Sequence, residues 1–185
     1  SALSAFGLVP AALIGIDVSV LLDDADLASS TSSQPNSHAV QLATLLFEQC
    51  EQNFSLTDEK SNVSGLGDWI EQLVAESTGK DERGRLPIVI GSSALKISGP
   101  ALQIGFAEGV AELNVTASLG EHFILWEWVT ALLCRALHVD PFNQPNVTEA
   151  KERTSQIIIK MGSKEFAAPE PLLETPTYLL YSNQK

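Results

Sequence analysis

Three short stretches of this chain carry side chains able to do chemistry. In EQLVAESTGK, Glu71 to Lys80, the carboxylate Glu76 falls one helical turn after Gln72. Leu66, Trp69, Ile70, Leu73 and Val74 recur at helical spacing and define one buried stripe, which predicts a helix ending at Glu76. Gln72 and Glu76 lie on the border of that stripe beside Trp69, so the carboxylate is expected to be half desolvated. Gly79 is the expected left-handed cap, and the negative end of the helix dipole further disfavours ionisation of Glu76. A carboxylate tuned in this way, yet still ionised near neutral pH, is what proton abstraction beside a carbonyl requires. Read without its neighbours, the same glutamate is a surface residue before a turn.

In TASLGEHFILWEWVTALL, Ser118 and Glu121 have the spacing of a capping box, which predicts a helix starting at Leu119 with His122 in its first turn. His122 shares an apolar stripe with Leu119, Phe123, Trp126 and Leu133. The positive end of the helix lowers the pKa of an imidazole placed there and keeps it neutral, able to donate or accept a proton. A satisfied core histidine is the alternative. In NQPNVTEAK, Gln144 and Lys151 project to the same side of a helix beginning near Pro145, an amide and an ammonium able to reach one polar ligand. They can equally be a turn residue and a solvated lysine paired with Glu149 or Glu152.

The elements that must position these groups alternate between helix and strand. SALSAFGLVPAALIGID predicts an apolar, buried helix that bends or restarts near Val9, interrupted by Gly7 and Pro10. A short helix over Val18 to Leu27 precedes the loop SSTSSQPNS, and a further helix runs from about His38 to Glu51. Phe54 to Thr57 predicts a short strand. LPIVIG, apolar and rich in β-branched residues, reads as a central, buried parallel strand, with LQIGFAE as its neighbour. Long helices are predicted from Leu119 to about His138 and from about Pro145 to Met161. This alternation indicates an α/β fold, a three-layer α/β/α sandwich with a mainly parallel sheet. The tail FAAPEPLLETPTYLLYSNQK, rich in proline, reads as a linker with a terminal strand.

A chain of 185 residues, 44% apolar, buries one core and is too short for two full domains. With 11 Lys and Arg against 23 Asp and Glu, its net charge of -12 repels nucleic acid and anionic membrane. Two cysteines, Cys50 and Cys134, indicate neither a disulfide framework nor a metal site, and fit a reducing cytoplasm. No apolar run approaches a membrane span, and no signal-peptide pattern opens the chain. It begins SALSAFG without a Met and ends YSNQK, which reads as a piece of something longer.

Taken together, the three stretches follow the order Gln-x-x-x-Glu-Ser-x-Gly-Lys, then Gly-x-His, then Gln and, seven residues later, Lys. That pattern resembles glucose-6-phosphate isomerase, a member of the SIS (sugar isomerase) fold group. SALSAFGLVPAALIGID resembles the helix following that family's Gly-Gly-Arg segment, and the resemblance extends from Ser1 to about Lys160. It therefore implies that residues 1–161 form an SIS domain, the second of two in the parent enzyme, with 162–185 a linker or terminal strand segment. WEWVTALLCRALHVDPFNQPNVTEAK looks like the bacterial branch in which the isomerase can be fused behind a transaldolase.

By this resemblance Glu76 is the base that shuttles a proton between C1 and C2 of the sugar phosphate through a cis-enediol. Gln72 lines the pocket near the phosphate, His122 assists ring opening, and Gln144 and Lys151 contact substrate, Lys151 near the ring oxygen. The reaction requires neither metal nor organic cofactor. The matching histidine of the family reaches the neighbouring subunit's site, which implies a homodimer. The family's phosphate-binding loop belongs to a first SIS domain that this chain lacks, and its catalytic arginine would precede Ser1. Glu121 also stands where glutamine is often found. The rival expectation is a non-catalytic SIS module that binds sugar phosphates for regulation; such a sensor has no need of a positioned base.

Overall fold

The structure, a computed structural model, describes residues 2–50, 52–95, 102–162 and 170–182. Its elements are α1 (Ala5–Leu13), α2 (Val18–Ser32), α3 (His38–Gln49), β1 (Asn53–Thr57), α4 (Leu66–Thr78), β2 (Leu86–Val89), β3 (Gln103–Gly105) and β4 (Leu113–Asn114). They are followed by α5 (Leu119–Leu137), α6 (Pro145–Met161), β5 (Leu173–Glu174) and β6 (Leu179–Leu180). Ser1–Gln144 forms one compact unit and Pro145–Lys185 a second.

In the first unit β1 to β4 form a parallel sheet in the order β2-β1-β3-β4, flanked by helices as in a three-layer α/β/α sandwich. Phe54, Leu56 and Ile104 on the two inner strands are fully buried and pack with Leu46, Ile70, Val74, Trp126 and Leu133 from α3, α4 and α5. LPIVIG is therefore not central. It forms β2 at an edge of the described sheet, and β3 pairs with β1 and β4 rather than with it. Proline explains the placement. Leu86 N donates to Gln52 O and Ile90 N to Leu56 O, so alternate residues of β2 face β1 and Pro87 turns its hydrogen-free nitrogen to the open side. A proline is tolerated at an edge because no ladder hydrogen bond is lost there.

The helices follow the expected boundaries with informative exceptions. α2 runs through Ser30, Thr31 and Ser32, read from the sequence as loop; their hydroxyls donate back to Leu27 O and Ala28 O and so are satisfied within the helix. α1 forms with Pro10 inside it, but none of its residues is buried, and Phe6 is 88% exposed. The burial expected from its apolarity is absent; its main neighbour is α2 alone, which leaves most of its surface in solvent. α5 starts at the expected capping box: Glu121 N donates to Ser118 Oγ at 3.3 Å and Ser118 N to Glu121 Oε2 at 2.7 Å.

Gly120 lets α5 cross α2 closely, since a Cβ there would lie 2.2 Å from Leu21 O. In the second unit α6 has no buried residue and carries a Glu149–Arg153 ion pair, while β5 and β6 pair as an antiparallel hairpin. Among the described residues, no helix is long and apolar enough to cross a membrane.

Candidate functional site

Glu76 occupies the last turns of α4. The helix buries Leu66, Gly67, Ile70, Val74 and Thr78, a stripe centred on every fourth residue. Trp69 and Leu73 are only partly buried against the core. At 3.6 residues per turn, position 76 then lies about 160° around the helix from Val74, well away from the buried face. Glu76 and Gln72 are accordingly exposed, and the expected half desolvation of the carboxylate is not observed. The two side chains do meet: Gln72 Nε2 donates to Glu76 Oε1 at 3.1 Å.

The end of α4 is closed by hydrogen bonds rather than by a left-handed glycine. Gly79 has φ -70° and ψ 56°. Thr78, fully buried, donates its hydroxyl to Val74 O at 2.7 Å and accepts from Arg85 N at 3.0 Å, joining the helix end to the residue before β2. Cys134 Sγ donates to Ser77 O at 3.5 Å, and Lys80 Nζ donates to Asp140 O. The carboxyl end of α4 is thus fastened to the carboxyl end of α5 and to the turn leading to Gln144. That is the end at which the strands begin, because α4 and α5 run back across the sheet. Gln144 is exposed there. Lys151 belongs to α6 in the second unit and is exposed.

His122 lies at the opposite end, in the first turn of α5. It is fully buried, its ring 5.4 Å from and edge-on to Phe106, and neither nitrogen has a hydrogen-bond partner among the described residues. Burial pushes its pKa down to about 4, while the charges of Glu121 and Asp58 pull the other way. The imidazole is neutral as expected, with burial rather than the helix terminus as the leading cause. Cys134, which touches Ser77 beside Glu76, stands 12 residues further along α5, about 18 Å at 1.5 Å per residue. Within one copy of the chain, His122 and Glu76 therefore lie towards opposite ends of the sheet.

Two residues escaped the sequence reading. Asp58 accepts from Gly65 N at 2.6 Å and Gly67 N at 3.1 Å, supplying from the preceding loop the cap that Gly65 has no side chain to provide. Lys80, quoted above only as the end of a motif, is 6% exposed. A cavity of about 910 Å³ lies between the end of α2, the start of α3 and the segment after β4. Its described lining mixes apolar side chains with Thr31, Ser32, Ser37, His38, Thr116 and Glu121 and contains no Lys or Arg. Among the described residues no cluster of His, Cys, Asp and Glu could hold a metal ion.

The parallel-sheet class of the fold is shared with a hypothetical protein of Thermus thermophilus. Its crystal structure superposes with a TM-score of 0.72 at 21% identity, over 85% of this chain and 54% of that one. More specific is a partial sequence similarity to glucose-6-phosphate isomerases. A probable glucose-6-phosphate isomerase of Haloarcula marismortui is 39% identical over 92 residues, 47% of this chain and 21% of that protein. The enzymes of Limosilactobacillus fermentum and Lactococcus lactis are 33% and 29% identical over 93 residues, with the same coverage. The chain thus spans about a fifth of the length of the curated relatives it matches. No family model matches it.

Proposed function

We propose that this chain is part of an aldose-ketose isomerase that interconverts glucose 6-phosphate and fructose 6-phosphate. The observation that carries the reading is the Gln72–Glu76 pair, held at an exposed helix end in a chain partly similar to glucose-6-phosphate isomerases. Glu76 moves the proton between C2 and C1 through a cis-enediol, with Gln72 orienting its carboxylate and lining the pocket near the phosphate. Gln144 contacts substrate and Lys151 stands near the ring oxygen. His122 assists ring opening in the site of a neighbouring copy, so the working enzyme is a homodimer. The placement of His122 and Glu76 towards opposite ends of the sheet supports that division, and reaching a partner's site requires His122 to leave its present burial.

In this reading residues 1–161 form the second SIS domain of a cytoplasmic enzyme, preceded by a first SIS domain that binds the phosphate and, in the longest form, by a transaldolase. Residues 162–185 serve as linker or terminal strand. Without the phosphate-binding domain the chain alone is inactive.

Incubating the full-length protein with glucose 6-phosphate in deuterated water tests the proposal. An isomerase releases fructose 6-phosphate and exchanges the C2 proton. Binding of the sugar phosphate without exchange would replace it with the regulatory module.

A further inference from the structure

Lys80 is a buried residue whose ammonium has one hydrogen-bond partner among the described residues, the main-chain carbonyl of the exposed Asp140. Holding a long, flexible side chain in one place costs rotamer entropy, which an exposed lysine elsewhere on the surface would not lose. The backbone is bent to bring the lysine inward. Lys80 N donates to Thr78 O at 2.7 Å, Arg83 N to Lys80 O at 3.0 Å, and Asp81 and Glu82, directly after it, have φ of 54° and 59°. Consecutive non-glycine residues in the left-handed region persist only where the surroundings hold them. What Lys80 gains in return is a link across 60 residues of sequence, from the end of α4 to the start of the Asp140 turn. Glu76 stands four residues before Lys80, and Gln144 four after Asp140. Asp140 Oδ1 in turn accepts from Phe142 N at 2.9 Å and shapes the turn between them.

We propose that Lys80 is a positioning residue that holds the helix end bearing Glu76 in fixed register with the turn bearing Gln144. The proposal rests on the isomerase reading for its catalytic meaning. A base displaced by about 1 Å from its proton loses on the order of 10²-fold in rate, so a tether at this place acts on turnover more than on binding.

The test is Lys80→Met in the full-length protein, with two readouts. Amide hydrogen exchange should quicken together in residues 77–80 and 140–144, because one link is cut for both. With glucose 6-phosphate, kcat should fall roughly 10- to 100-fold with KM within about threefold, and Lys80→Arg, which keeps a charged donor, should restore most of it. A lowered melting temperature with wild-type kcat would overturn the proposal, as would faster exchange at 77–80 alone. Should Lys80→Met fail to fold, Lys80→Gln keeps an N–H donor on a shorter arm and answers the same two readouts. An inactive wild-type protein would overturn the functional reading by itself, and the paired exchange would then decide the coupling.

Discussion

Glu76 and His122 are set apart by their surroundings: one carboxylate in solvent beside an amide, one imidazole sealed in the core. Glu76→Gln keeps the shape and one acceptor but cannot take a proton. In the full-length protein turnover should fall about 10²- to 10⁴-fold with little change in sugar-phosphate binding, and exchange of the C2 proton should fall with it. Exchange at the wild-type rate in the variant would remove Glu76 as the base. For His122 the folded-state pKa of about 4 lies below the ordinary 6.5, so the unfolded chain binds more protons between those values. Stability is therefore intact above pH 6.5 and declines as pH falls towards 4, by about 2 kcal/mol at pH 5. Urea unfolding of the wild type and of His122→Phe at pH 7 and pH 5 checks this: the wild type alone should lose that increment. Equal losses in both would mean that the imidazole is solvated in the folded chain.

At the scale of elements, the close crossing of α2 and α5 places His122, because the first turn of α5 can approach Leu21 only through a glycine. Gly120→Ala puts a methyl group 2.2 Å from a backbone oxygen, which cannot swing aside as a side chain can. The helices must separate, at a cost of about 1–3 kcal/mol or more, read as a lower urea midpoint at unchanged slope. A neutral substitution would show that the crossing has slack. The edge position of β2 belongs to this scale as well. Pro87 signals it, since a central strand would need the N–H that proline lacks. The β-branched run LPIVIG reads as central when that single nitrogen is overlooked.

For the whole molecule, activity of the isolated chain is the decisive quantity. If phosphate binding by a separate domain supplies the energy that positions C1 and C2 against Glu76, this chain alone should turn over far more slowly than ordinary enzymes. A coupled assay showing kcat on the order of 10 per second would mean that these residues build a complete site by another route. The sequence by itself determined the local structure: the capping box that starts α5, the span of α6, the strand at Phe54–Thr57 and the placing of Gln72 and Glu76 on the same side of α4. Each depends on neighbours within a turn or two, so spacing and residue type suffice. Only the tertiary structure decided which faces are covered. Glu76 was expected beside a buried stripe, yet the stripe turned towards Val74 and Thr78 because the sheet and α5 lie there. α1, as apolar as a core helix, stays exposed because burial depends on what lies opposite, which no helix encodes in its own residues. The same holds for Lys80, whose partner is 60 residues away and whose burial no local pattern announces.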